Sequence, residues 1–310
     1  MKKIVKKNVN CIVFSPLKSG ISYIEKYFNY RKNIVNFIED KSGLLNFANS
    51  DEEFNQENQI FRVKGSISKL KFSKSKLNIH YSPYNFSLPQ QTVENIKNIN
   101  ADYKQSVKAI ILLRNPGERI LEHHEFFRRN NWERYFFRDA VSTDNAANRI
   151  NNKWDPLYNY IDCSLYYEKV CYIMENFDNV KIIYYDEIQV NKDKVFENIC
   201  DFLNIKYKSY AECFICKKVN KFFDRIFLPF YKFFFKHSEK IKFHTDGFFS
   251  EKTKINMLEN SKKLYRNKIL EEKHFSKDEI ININYLFFHD DILNLYDKIN
   301  NPILIKWIRK

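Results

Sequence analysis

Residues 107–119 read Val-Lys-Ala-Ile-Ile-Leu-Leu-Arg-Asn-Pro-Gly-Glu-Arg. Val107 to Leu113 is almost wholly apolar, the pattern of a strand covered on both faces and hence of a parallel sheet. The run stops at Arg114-Asn115-Pro116, and a charged helix follows, because proline suits a first helical turn and not a helix interior. The same grammar appears twice more. Val9 to Phe14 is a short apolar run broken at Ser15-Pro16, and Lys18 to Tyr30 has helical spacing through Ile21, Ile24, Tyr27 and Phe28. Val180 to Tyr185 is followed by a helical pattern over Asp193 to Leu203. Strands alternating with helices predict an α/β fold, a P-loop-like parallel β-sheet flanked by helices, with ligands held at the carboxyl ends of the strands.

Outside these units the reading is coarser. Phe61 to Phe72 fits strands or an ordered loop, and beyond Lys206 the chain is mostly helical, with apolar stripes over Lys252 to Leu270 and Lys277 to Leu295. The chain has 310 residues, 44% of them hydrophobic, with only five glycines and seven prolines, so a single domain over 1–310 is expected, without repeats or flexible linkers. A net charge of +14 fits an anionic partner, whether nucleotide, acidic glycan, nucleic acid or membrane. The first seventeen residues lack the apolar core of a signal peptide, so a cytoplasmic location is expected. The six cysteines have no framework spacing, and the single CxxC, Cys213 with Cys216, lacks a second ligand pair, so reduced thiols and no metal site are expected.

Ser15-Pro16-Leu17-Lys18-Ser19-Gly20-Ile21-Ser22 places a lysine, a glycine and hydroxyls at a strand-to-helix turn, where free amides and the helix dipole attract phosphate. It is not a Walker A loop, because the lysine precedes the glycine. With this lysine order, and with Arg114-Asn115-Pro116-Gly117-Glu118-Arg119 ending a buried strand, the chain resembles the sulfotransferases that use 3′-phosphoadenosine-5′-phosphosulfate (PAPS). Three further stretches are similar to later parts of that family: Tyr160 to Tyr166, Val180 through Ile205, and Asp290 through Trp307. The likeness is nearest to the carbohydrate, heparan-type and bacterial branch.

The resemblance implies a transferase that moves a sulfuryl group from PAPS, as co-substrate and with no permanent cofactor, to a hydroxyl or amine of a carbohydrate. It implies that Lys18, Ser19, Gly20, Ile21 and Ser22 surround the 5′-phosphosulfate, with Lys18 also catalytic, and that Arg114 and position 122 face the 3′-phosphate. Two positions depart from the family: Ile21 stands where a threonine is usual, and Glu122 where a serine is usual. Glu122 is expected either to repel the 3′-phosphate or to turn toward a basic residue such as Arg119. For the base that takes the acceptor proton the candidates are His80, which is favoured, and Glu39. His123 and His124 are expected to face solvent.

Lys221 to Lys236 concentrates aromatic and basic residues around Pro229, a pattern either of a helix at a membrane surface or of an aromatic cap over the nucleotide. Asn220 is placed with an adenosine-binding loop. Two rival readings stand beside the transferase: a sulfotransferase fold without activity, and a basic protein that binds membrane or nucleic acid.

Overall fold

The computed structural model describes residues 9–40, 70–100, 102–211 and 275–309. The chain divides into two units, Met1–Tyr207 with Phe275–Lys310, and Lys208–His274. Apart from 208–211, every described residue belongs to the first unit. The CxxC, Asn220, the aromatic-basic segment 221–236, the stripe 252–270 and most of 61–72 lie outside the described residues.

Five parallel strands form one sheet: β1 (Cys11–Phe14), β2 (Val35–Glu39), β3 (Leu77–Tyr81), β4 (Lys108–Leu113) and β5 (Val180–Tyr184), in the order β2-β3-β1-β4-β5. All carboxyl ends therefore share one edge. The two strands beside β1 register Val13 against Tyr81 and Phe14 against Ile111, which brings the end of β1 to the middle of that edge. β1 and β4 are buried almost throughout, as their unbroken apolar runs require when helices cover both faces.

β2 and β3 carry polar residues. Asn36 and Asn78 lie directly opposite each other, and Asn36 Nδ2 donates to Asn78 Oδ1 at 2.8 Å, so a polar pair fixes the register that apolar alternation fixes elsewhere.

The helices are α1 (Ile21–Tyr30), α2 (Pro83–Ser87), α3 (Pro89–Ile99), α4 (Tyr103–Ser106), α5 (Pro116–Arg129), α6 (Phe137–Ala140), α7 (Thr143–Asn151), α8 (Tyr167–Asn176), α9 (Tyr185–Val190), α10 (Lys192–Leu203), α11 (Lys277–Phe287), α12 (His289–Ile299) and α13 (Pro302–Lys306). The expected stripe from Lys277 to Leu295 is thus two helices, because Phe288 leaves helical geometry at φ −131° and its ring turns into the core. Among the described residues no helix is long and apolar enough to cross a membrane. Cys11, Cys163, Cys171 and Cys200 are free thiols.

The C-terminal helices complete the first unit by polar contacts. Asp291 accepts from the amides of Tyr166 and Tyr167 at 2.8 and 3.0 Å, capping the start of α8. Asn284 accepts from the amide of Gly117 at 2.7 Å and donates to Asn115 Oδ1 at 2.9 Å and to the Trp307 carbonyl at 2.6 Å. Gly117 is required there: a Cβ would stand 2.6 Å from Asn284 Oδ1 and 2.9 Å from the Ile280 carbonyl.

Candidate anion-binding site at the sheet edge

The turn after β1 is tight because Ser15 and Ser19 are buried and the Ser19 amide donates back to the Pro16 carbonyl at 3.1 Å. Lys18 has φ 75° and Gly20 φ 98°, both in the left-handed region. At Gly20 this conformation and the neighbouring ring both demand glycine, since a Cβ would lie 2.6 Å from Tyr185 Cδ2. Helix α1 then begins with neither a side-chain cap nor an acidic residue in its first turn, so its leading amides are open to an anion. The buried Ser19 hydroxyl lies beside the Tyr166 hydroxyl and has no hydrogen-bond partner of normal geometry among the described residues. Its neighbour, the Tyr166 hydroxyl, gives its proton instead to the Arg114 carbonyl at 2.9 Å. Ser22 is exposed and Ile21 half-buried on the first turn of α1.

The Lys18 ammonium sits 4.0 Å from the centroid of the Phe126 ring. Burial lowers its pKa, Glu122 opposes that, and Arg129 and Arg114 add to the lowering. Lys18 is therefore a desolvated cation over an aromatic face, a position that strengthens its pull on an incoming anion.

Arg114 joins the two phosphate-type elements. Its Nη1 donates to the Lys18 carbonyl at 3.2 Å, its Nε donates to Glu118 at 3.1 Å, and its Nη2 lies 3.8 Å from Glu122. The guanidinium carbon stands 4.5 Å from the centroid of the Tyr185 ring. Of the two orientations expected for Glu122, the turn toward a basic residue is the one seen, with Arg114 and not Arg119 as that residue. Glu122 is exposed and leans toward Arg114, which already holds Glu118.

Arg119 is unavailable to Glu122 because it is fully buried and its donors are spent on neutral acceptors. It reaches Ser164 Oγ, the Leu17 carbonyl at 3.3 Å, the Tyr160 carbonyl at 2.9 Å and His123 Nδ1 at 3.0 Å. This arginine ties the residue before Lys18 to α5 and to the segment around 160–164. Since Arg119 can only donate, His123 Nδ1 accepts and Nε2 carries the proton. That Nε2 is buried and has no partner among the described residues. Burial first, then Arg119 and Lys18, hold His123 well below the usual histidine pKa, so it is neutral.

The expectation that His123 and His124 face solvent is corrected: both are buried. His123 lies edge-on to Phe127 and Tyr160, and His124 Nε2 contacts the Tyr135 carbonyl at 3.0 Å, because the chain after α5 folds back over its outer face.

The two candidate bases occupy different environments. Glu39 ends β2, exposed at the carboxyl edge, two strands and so about 10 Å from the end of β1. His80 is fully buried, with Nε2 3.4 Å from Asp40 Oδ2 and Nδ1 3.3 Å from Asn85 Nδ2. Because Asn85 Nδ2 also donates to the Val13 carbonyl at 3.1 Å, its amide orientation is set: Nδ1 of His80 accepts, and Nε2 donates to Asp40.

Sequence reasoning did not find Tyr185, Phe126 or Glu118 at this site. The spacing of four between Arg114, just before α5, and Glu118 in its first turn was the available signal; Tyr185 had none, since it meets Gly20 only through sheet topology.

No family model matches the sequence, and no curated protein matches it. Solved structures do. The sulfotransferase of Alicyclobacillus acidocaldarius superposes with a TM-score of 0.55 at 20% identity, covering 64% of this chain and 82% of the other. The sulfotransferase domain of the Synechococcus PCC 7002 olefin synthase (TM-score 0.42, 15% identity, covering 66% of this chain and 76% of that one) lies farther off. So does mouse sulfotransferase SULT7A1 complexed with PAP (0.40, 17%, covering 66% and 62%). The chain has the sulfotransferase fold: a five-stranded parallel sheet flanked by helices, with the turn after β1 and the Arg114 element side by side at its carboxyl edge.

Proposed function

We propose that the protein transfers the sulfuryl group of PAPS to a hydroxyl or amine of a carbohydrate by in-line displacement. The observation that carries this reading is the Arg114–Lys18 junction. Two anion-seeking elements that are 96 residues apart in sequence are joined by a hydrogen bond at the edge where such sheets hold ligands. As the acceptor oxygen bonds to sulfur, the bond from sulfur to the bridging oxygen of the 5′-phosphosulfate breaks. Negative charge collects on that departing oxygen, and Lys18 with the first amides of α1 is the electrostatic partner for it. Ser19, Gly20, Ile21 and Ser22 line the 5′-phosphosulfate, and Arg114 takes the 3′-phosphate by paired hydrogen bonds. The acceptor proton passes to a carboxylate or imidazole. Glu39 is exposed at the edge, whereas both ring nitrogens of His80 are engaged in the core, so Glu39 is the base a substrate can reach in this conformation.

Titration with 3′-phosphoadenosine-5′-phosphate beside AMP and ATP tests the donor. The bisphosphate should bind at least about tenfold tighter than AMP, about 1.4 kcal/mol. Equal affinities would remove the proposal. A second reading, the same fold without transfer activity, is favoured by one observation: Arg114 already carries two carboxylates, Glu118 and Glu122.

A further inference from the structure

A polar chain crosses the carboxyl edge of the sheet inside the core. Asp40 Oδ2 meets His80 Nε2 at 3.4 Å, His80 Nδ1 meets Asn85 Nδ2 at 3.3 Å, and the same Nδ2 donates to the Val13 carbonyl at 3.1 Å. All three side chains are buried. His80 stands in register with Ile38 on one side and Ile12 on the other, so the chain links β2, β3 and β1 near their carboxyl ends. Asn85 spends both amide hydrogens on it, and its Oδ1 is left without a partner among the described residues. A buried orphan of this kind is destabilising, so the amide is oriented for the links and not for its own satisfaction.

Neither ring nitrogen of His80 is open to a substrate, since one holds Asp40, the other holds Asn85, and the ring is fully buried. Nor does the chain relay a proton, because an asparagine amide does not titrate. What it fixes is geometry. The Asp40 amide extends the β2–β3 ladder by one bond, to the Tyr81 carbonyl at 2.8 Å, so Asp40 still follows strand alternation. Successive strand residues point to opposite faces. With the Asp40 side chain drawn inward onto His80, that of Glu39 is held outward, and Glu39 is exposed at the carboxyl edge. The far end of the chain holds Val13, one residue before the end of β1, whose following turn carries Lys18. We propose that Asp40, His80 and Asn85 are positioning residues that set the proton-accepting Glu39 against the Lys18 turn, His80 acting through Glu39 and not as the base. This rests on the sulfuryl-transfer reading for the role of Glu39, and on the chain alone for the link.

The test uses the full-length protein with water as the acceptor, and follows turnover of PAPS to 3′-phosphoadenosine-5′-phosphate and sulfate. The water oxygen bonds to sulfur, the bridging S–O bond breaks with its electron pair leaving on the bisphosphate, and Glu39 takes the proton. Glutamine offers an acceptor to Asn85 and a donor to Asp40, as the imidazole does, and asparagine at 40 still accepts from His80. His80→Gln and Asp40→Asn should therefore keep turnover within about fivefold of wild type. His80→Leu and Asp40→Ala cut the chain and should lower turnover about thirtyfold or more, with bisphosphate affinity changed less than about threefold. Glu39→Gln should lower turnover about a hundredfold. Thermal denaturation checks that each variant is folded, and where His80→Leu is not, Asp40→Ala carries the comparison. A hundredfold loss in His80→Gln would make the imidazole the base and overturn the proposal. So would wild-type turnover in Asp40→Ala or in Glu39→Gln. If the wild type neither binds the bisphosphate nor consumes PAPS, the transferase reading fails, and urea denaturation of Asp40→Ala, Asn85→Ala and the double variant tests the link by itself. Coupling of about threefold or more in the folding constant sustains the link, and additive effects overturn it.

Discussion

Replacing Glu122 by serine should tighten binding of 3′-phosphoadenosine-5′-phosphate about five- to fifteenfold at low salt. Glu122 Oε1 stands 3.8 Å from Arg114 Nη2, with its side chain 54% exposed, so the pair interacts through a largely aqueous medium. A phosphate seated on the same guanidinium at about 2.9 Å would bring its oxygens to roughly 5 Å from that carboxylate. At a water-like dielectric the repulsion is about 0.8 kcal/mol per unit charge, or about 1.2–1.7 kcal/mol for a phosphate carrying about 1.5–2 charges. If Glu122 swings away instead, it gives up about 1.1 kcal/mol of attraction to Arg114. Both routes have the same sign. AMP, seated at the turn after β1, should gain little. The gain should shrink in 1 M salt, where the screening length falls to about 3 Å. Calorimetry at 20 mM and 1 M salt decides the matter. An unchanged bisphosphate affinity at low salt, or an equal gain for AMP, refutes the idea that Glu122 competes for Arg114.

Lys18→Ala should lower turnover about a hundredfold while donor affinity changes less than about fivefold, read by single-turnover kinetics at saturating donor; unchanged turnover removes Lys18 from the chemistry. Asn284→Ala takes the side-chain donor from the Trp307 carbonyl and leaves the Gly117 amide on Asn115 Oδ1 alone, in a buried setting, and should cost about 2 kcal/mol in urea denaturation; a loss under about 1 kcal/mol would show the contacts to be dispensable. Asp155 accepts from Tyr84 and from the Leu157 amide at 2.8 Å, yet burial pushes its pKa up to about 6 from 3.8. A raised carboxyl favours the folded state when protonated, so stability should fall as pH rises from about 4 to 6, by up to about 3 kcal/mol, and stay level above. Asp155→Asn should flatten that part of the pH–stability curve; an identical slope in both proteins would assign it to other groups.

β1 and β4 were legible because burial on both faces leaves an almost unbroken apolar run in the sequence, and the edge strand β5, half-buried over Val180, Lys181 and Ile182, because Lys181 alone interrupts its run. β2 and β3 were not, since Asn36 with Asn78, and His80 with Asp40 and Asn85, replace apolar alternation by polar pairs whose partners lie far off in sequence. The turn around Lys18 could be read because its lysine, glycine and hydroxyls are contiguous. The direction of α5 side chains could not, because helix rotation is set by what packs on it. Phe127, Tyr160 and the turn at Tyr135 draw His123 and His124 inward and leave Glu122 on the Arg114 side. A basic composition announced an anionic partner and said nothing of the two glutamates that already neutralise its reader.

The clasp of Asn284 on Asn115 and Gly117 spans 169 and 167 residues, and it has a consequence for the order of events during synthesis. All five strands leave the ribosome before residue 207, so the sheet can assemble while the last third of the chain is still being made. The first turn of α5, which carries Arg114 at its head, has its amide and its capping Asn115 fully satisfied only when α11 arrives. The nascent protein therefore holds a sheet without a finished anion grip, and contacts of such long separation form late. A stalled or shortened chain would lack Phe288, Ile292, Leu295, Leu304 and Trp307 from its core together with the Asn284 clasp, so the packing of the sheet and the bracing of the Arg114 element are both finished by the last residues made.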